Sequence, residues 1–214
     1  RNPVPTWYFK GYYLQYIDGI PFKLKSTFDF SFMKEYGTVF KVYDDQDSGN
    51  ICFGTEKDGQ RYFVKFAGAP TEQFGGDPAD AISRLKATLP IYSDLKHENL
   101  IELIEAKEIG AGFAMVFKWA DSDCMGRMYP AAHRRFMQLP INDRLAVFSD
   151  ILSFLECVAS RKYVAIDFYD GSIMYDFANG KTTICDIDLF RKQPCVNDMG
   201  HMWGSSRFQS PEEH

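Results

Sequence analysis

Apolar and polar residues alternate along much of the first 120 positions and then give way to a helical rhythm. Near the start, Phe28-Asp29-Phe30-Ser31-Phe32 sets a ring at every second position, which predicts a strand with one buried face. From Thr38, apolar runs at 39–43, 51–54 and 61–67 are separated by Asp44-Asp45-Gln46-Asp47-Ser48-Gly49-Asn50 and by Glu56-Lys57-Asp58-Gly59. Asp-Gly suits a two-residue hairpin turn, so these runs predict three antiparallel strands. Ala81, Ile82, Leu85, Leu89 and Tyr92 then recur at helical spacing, predicting a helix within 77–95. Asp77 is its expected N-cap and Pro78 its first residue, while Pro90 should kink or end it. Two more strands are expected at 100–108 and 113–119, joined at Gly110-Ala111-Gly112.

After Trp119 the rhythm changes. Leu145, Phe148, Ile151, Leu152, Leu155 and Val158 predict an amphipathic helix over 143–161, capped by Asn142 or Asp143. Short β runs follow at 163–166, 172–175 and 182–186, the last two joined by Ala178-Asn179-Gly180-Lys181. From Arg191 onward the sequence reads as irregular. The expected class is α+β, with an aromatic-rich extension (1–37), a β-rich lobe with one main helix (38–119) and a second lobe (120–214). A cleft between unlike lobes is the expected place for a ligand. The extension's aromatics, among them Trp7, Tyr8, Phe9, Tyr12, Tyr13 and Phe22, are expected to pack into a core, with a docking surface as the alternative.

Composition narrows the function classes. The 214 residues are 45% hydrophobic and 25% charged, and the net charge of -5 argues against a nucleic-acid partner. The sequence has no apolar run of about 18 residues and no signal-peptide core at its start, so no membrane partner is expected. Cys52, Cys124, Cys157, Cys185 and Cys195 form no CxxC pair, which fits reduced thiols and a cytoplasmic location.

Three places carry candidate chemistry. Lys65, in Phe63-Val64-Lys65-Phe66, is a lysine among apolar residues on a strand, either a buried cation with a task or an edge residue reaching solvent. Asp167 ends the apolar run Val164-Ala165-Ile166 and precedes Tyr169-Asp170-Gly171-Ser172, where an acid serves either chemistry or a turn. Asp186 and Asp188 end another β run and form either a cation site or a solvated strand end.

Together these residues resemble the protein kinase family, in a divergent, bacterial-type form, from about Thr38 to the end of the chain. Phe63-Val64-Lys65-Phe66 resembles the VAIK strand, which implies that Lys65 holds the nucleotide's phosphates. Lys96-His97-Glu98-Asn99-Leu100-Ile101 resembles the segment before the fourth strand. Phe117-Lys118-Trp119-Ala120 falls at the gatekeeper and hinge, implying Phe117 as gatekeeper and adenine contacts from the backbone near Lys118 and Trp119. Ala165-Ile166-Asp167 stands for HRD, which implies Asp167 as catalytic base, and Asp186-Ile187-Asp188 stands for DFG, which implies Asp186 as the Mg2+ ligand. Gly204-Ser205-Ser206-Arg207-Phe208-Gln209-Ser210-Pro211-Glu212 is similar to the run closing the activation segment, with Ser205 in the substrate loop.

The sequence departs from the family pattern at several places. The Gly-rich loop keeps only Gly49, its other glycine places being Asp44 and Gln46. Counting back from His97 puts Thr88 at the place of the helix glutamate, with Glu72 or another acid as a substitute. Ile166 replaces the HRD arginine, Tyr169 the catalytic-loop lysine, Ser172 the second metal-binding asparagine (with Asp170 nearby) and Asp188 the DFG glycine.

The resemblance implies a bilobal kinase-like fold with a partial helical C-lobe in a chain that naturally runs further. It implies an ATP- and Mg2+-dependent protein serine/threonine kinase. A pseudokinase or scaffold, and a small-molecule kinase of the aminoglycoside or choline type, are the alternatives. A protein substrate is the implied partner, with a dimer through the extension or exposed C-lobe surface as a further expectation.

Overall fold

A computed structural model describes residues 7–9 and 11–196, and they divide into two units: one drawn from 1–89 and 102–119, the other from 90–101 and 120–214. The class is α+β, with most strands in the first unit and most helices in the second.

In the first unit, β1 (Trp7–Phe9), β2 (Tyr12–Ile17) and β3 (Ile20–Leu24) form an antiparallel meander. Asp18 (φ 48°) and Gly19 (φ 82°) make the turn between β2 and β3. The same pairing recurs at Asp58 (φ 52°) and Gly59 (φ 74°), between β5 (Asn50–Lys57) and β6 (Gln60–Ala67). Both turns need positive φ at two successive positions, which Asp and Gly tolerate. With β4 (Thr38–Tyr43), β7 (Leu103–Ile109) and β8 (Gly112–Lys118) these strands form an antiparallel sheet in the order β4-β5-β6-β8-β7. Helix α1 (Pro78–Ala87) starts as expected, the Asp77 carboxylate accepting from the Ala79 amide at 2.9 Å.

One face of this sheet carries the core. Ile51, Phe53, Val64, Phe66, Ala114 and Val116 pack against Phe22, Leu24, Phe30, Met33 and Tyr36, so Phe22, Phe30 and Tyr36 are core residues of this unit, while Tyr8 is exposed and Tyr12 and Tyr13 are half-buried. Each fully buried ring contributes about 1.5–3 kcal/mol relative to exposure. The strand expected at 28–32 is absent. The Gln15 amide accepts from the Phe28 N–H and donates to the Phe28 carbonyl, both at 2.9 Å, in place of a partner strand. Asp29 then accepts from the Ser31 amide at 2.8 Å, and a 3-10 turn runs from Ser31 to Tyr36. Without the strand, Phe30 is still buried and Phe28 and Phe32 pack half-buried against the same core.

The expected single helix at 77–95 is two. α1 ends at Thr88, whose hydroxyl donates to the Leu85 carbonyl, and α2 (Leu89–Asp94) restarts around Pro90, which lacks the N–H for a continuous ladder.

The second unit holds β9 (Asp123–Cys124), α3 (Pro130–Met137), α4 (Ile141–Ser160), β10 (Tyr163–Val164), β11 (Ile173–Asp176), β12 (Lys181–Ile184) and β13 (Arg191–Lys192). β12-β11-β9 form one small sheet and β10-β13 another, so Arg191 and Lys192 are strand residues where irregular chain was expected. α4 starts two residues earlier than expected. Pro140 is its N-cap and Asp143 lies in its first turn, where the helix dipole favours an acid. The helix buries Val147, Phe154 and Val158 and exposes Leu145, Phe148 and Leu152, half of the face expected to be buried.

Candidate functional site

In the first unit, strand register assembles a second sheet face opposite the core. Cys52 pairs with Lys65 and Lys65 with Met115, while Gly54 pairs with Phe63 and Phe63 with Phe117. Side chains alternate along a strand, so Cys52, Gly54, Phe63, Lys65, Met115 and Phe117 share this face. Lys65 is 9% exposed, which makes it a buried cation and settles the edge-lysine alternative. Around it lies an aromatic shelf. Phe40 and Trp119 meet edge to face at 5.1 Å, Tyr43 and Phe63 at 5.8 Å, and Phe63 lies 6.3 Å from Phe117. Gly54 makes room for them, because a Cβ there would stand 2.8 Å from the Phe40 ring and 3.1 Å from Trp119. A flat ring with a phosphate tail matches a shelf of aromatics beside one ammonium.

The amides expected to meet adenine are engaged within the first unit. The Lys118 N–H donates to the Glu102 carbonyl at 2.9 Å and the Trp119 N–H to the Arg61 carbonyl at 3.1 Å, so neither donor is open to adenine. Phe117 is buried beside the shelf and the Lys118 side chain is exposed.

The loop at 44–49 is tied down. Asp44 accepts from the Lys23 amide at 2.8 Å, and Asp45 accepts from Gln73 at 2.7 Å. Gly49 (φ 85°) is buried where a Cβ would meet Phe74 and Ala81 at 2.8 Å, so close packing and a positive φ both call for this glycine. Thr88, buried at the C-terminus of α1, also donates to the Met115 sulfur at 3.2 Å. That places Thr88 one neighbour away from Lys65 in the sheet register.

In the second unit, two loops carry the carboxylates. Asp167 follows β10, and Asp186 follows β12. Both hold left-handed backbone angles, φ 57° and 56°. Rings from both loops meet on one helix. Phe168 from the first loop and Phe190 from the second both pack on Phe154 of α4, each at 6.3 Å, and lie 6.2 Å from each other. The Cys185 amide donates to the Ser172 carbonyl at 2.9 Å, joining the loops directly.

The acids feel each other. Burial pushes the Asp167 carboxyl above the ordinary range and the Asp186 charge pushes it further. Tyr169 is raised by burial and then by Asp167, Asp186, Cys124 and Asp170, so its phenol keeps its proton amid three carboxylates. The Cys124 thiol is raised by burial, against the Gly126 N–H, and then by Asp170 and Asp186. Asp167, Tyr169, Asp170 and Asp186 therefore form one electrostatic cluster, with Asp186 its exposed member. Ser172 is 1% exposed, and its hydroxyl has no hydrogen-bond partner among the described residues.

Among the described residues no group of three or more His, Cys, Asp or Glu side chains is arranged to hold a metal. Magnesium does not require one, because it commonly takes one or two carboxylates and fills its octahedron with water and phosphate oxygens. The hard oxygens of Asp186 and Asp170, with the unpartnered Ser172 hydroxyl, fit that ion.

Three participants lie outside the sequence motifs. Cys124 donates to the Gly171 carbonyl at 3.5 Å, Gly54 opens the shelf, and Tyr92 donates to Asp188 at 2.8 Å. Only Gly54, a glycine inside a strand, carried a local signal. Ser205 and the run 204–212 lie outside the described residues. The cysteines are free, and no described helix is long and apolar enough to cross a membrane. No protein-family model matches the chain, and no curated protein matches it.

Proposed function

We propose that this chain is a divergent, kinase-like phosphotransferase that moves the γ-phosphate of ATP to a serine or threonine of a protein. The observation that carries the reading is the Asp167–Asp186 pair. Two acids on separate loops are held in matching left-handed conformations and within electrostatic reach. A raised carboxyl beside an exposed one divides the labour of base and metal ligand. The buried Lys65 on an aromatic shelf supports nucleotide binding by the first unit. The finer architecture under this reading is a bilobal kinase-like fold, with the first unit as the nucleotide lobe and the second as the catalytic lobe.

Asp167 accepts the proton of the attacking hydroxyl and orients it, and Lys65 neutralises phosphate charge. Asp186, with Asp170 and Ser172, would hold Mg2+, which offsets charge on the phosphates. Tyr169, protonated amid the acids, offers a neutral donor where the resembled family has a cation.

A second reading, a pseudokinase that binds without catalysis, is favoured by Thr88. Its hydroxyl is engaged with Leu85 and Met115, and it supplies no carboxylate partner for Lys65. Two measurements separate the readings. A catalyst should show a thermal shift with millimolar ATP and Mg2+ and transfer labelled phosphate to casein, whereas a binding module should show no transfer. Transfer to choline or an aminoglycoside instead of casein would overturn the protein-substrate assignment.

A further inference from the structure

We propose that the hydrogen bond from Tyr92 to Asp188 is a latch that sets the position of Asp186, making Tyr92 a positioning residue for the phosphotransfer proposed above. The inference rests on that reading for its consequence, and on geometry for the latch itself.

Asp186 needs holding. A non-glycine residue at φ 56° costs about 1 kcal/mol or more and persists only where its surroundings over-determine it. Residue 185 is fixed by the hydrogen bond its N–H donates to the Ser172 carbonyl. Ile187 is fully buried, and Phe190 is 2% exposed with its amide bonded to the Ile187 carbonyl at 3.1 Å. Between them Asp188 accepts from the Tyr92 hydroxyl at 2.8 Å. Tyr92 is 5% exposed, so water competes poorly for this charge-assisted bond.

The latch has a firm mount within the second unit. Two residues on from Tyr92, Asp94 accepts from the Tyr163 hydroxyl at 2.7 Å and pairs with Lys192 at 3.0 Å. The end of α2 is thereby tied to β10 and β13, and Tyr92 reaches Asp188 from a fixed frame. A glycine at 188 would offer no acceptor and would free the backbone on the C-terminal side of Ile187. With Asp188 latched, Asp186 is set before any nucleotide arrives, so the metal loop is built to stay in one state rather than to switch.

The test compares the full chain with its Tyr92→Phe, Asp188→Ala and Asp188→Asn variants by hydrogen exchange, alongside ATP turnover over a magnesium titration. Exchange of the amides at 186–190 should rise about tenfold in Y92F and D188A, and stay near that of the parent in D188N, which keeps an acceptor. Y92F should need about tenfold more magnesium for half-maximal turnover, with the KM for ATP unchanged. Parent-like exchange in both Y92F and D188A would overturn the latch, and D188A alone decides it if Y92F does not fold. If the parent chain gives no thermal shift with Mg2+ and ATP, the phosphotransfer reading falls, while the exchange data still decide whether the latch holds Asp186.

Discussion

Asp167 and Asp186 share a backbone conformation that aspartate seldom adopts, φ 57° and 56°, and Phe168, next to the first, lies in one aromatic cluster with Phe190, four residues after the second. The cluster places the two carboxyls close enough for the Asp186 charge to raise the proton affinity of Asp167.

Asp186→Asn should therefore lower the pKa of Asp167 without restoring its ordinary value, because burial is the larger cause. Carbon-detected NMR titration reads this directly, and an unchanged Asp167 would show that the two acids do not interact. The sign of the stability effect follows. A raised folded pKa means the unfolded chain ionises first, so Asp167 lowers stability as pH rises through the window above 3.8, and the penalty persists at neutral pH. Asp167→Asn should thus raise Tm at pH 7 while abolishing phosphate transfer. Asparagine also tolerates the left-handed conformation.

Lys65→Met keeps the apolar stem of a side chain that is 9% exposed and removes its charge. ATP affinity should fall about 10- to 100-fold, the range for losing a charged hydrogen-bonding partner. Calorimetry on the full chain checks this, and unaltered binding would remove Lys65 from the site.

Gly54→Val should push Phe40 and Trp119 out of the shelf, given the 2.8 and 3.1 Å approaches to a Cβ there. Overpacking of this kind costs about 1–3 kcal/mol. Adenine-nucleotide binding should weaken about tenfold or more on the same argument. A competition assay with a fluorescent nucleotide reads it, and equal binding would mean the base lies elsewhere.

Gly37→Ala tests the join between the aromatic segment and the sheet. Gly37 has φ 97° and ψ -154°, and a Cβ there would stand 2.2 Å from the Glu56 carbonyl oxygen. Backbone cannot yield cheaply, so the loss should be about 3 kcal/mol or more in urea unfolding. A loss under about 1 kcal/mol would show that the segment moves freely from the sheet.

Tyr163 gives an alkaline signature. Burial and then Asp94 push its phenol from 10.0 up to about 12. The unfolded chain loses that proton first, so the stability it contributes is whole below pH 10 and is lost between 10 and about 12. Tyr163→Phe should flatten this part of the stability profile in urea titrations from pH 8 to 12, and an identical slope in both proteins would contradict the assignment.

Local signals determined the elements that local chemistry can build. Alternating residues and the Asp58-Gly59 turn specified β5 and β6, and Asp77-Pro78 specified the start of α1, because each needs only neighbours in sequence. The residue types at Lys65, Asp167 and Asp186 were legible too, since a lysine inside an apolar strand and acids at strand ends stand out in one dimension. What joins them to their surroundings was not. Phe28 to Phe32 alternate like a strand, yet Gln15, 13 residues away, takes the backbone bonds that a partner strand would have made. α4 is apolar over more of its surface than it buries, and packing chose the Val147, Phe154 and Val158 stripe. Tyr92 and Asp188 meet across 96 residues, where no periodicity reaches. Hydrogen bonds and packing between distant segments exist only once the chain is folded, so the tertiary structure alone decided which groups surround each acid.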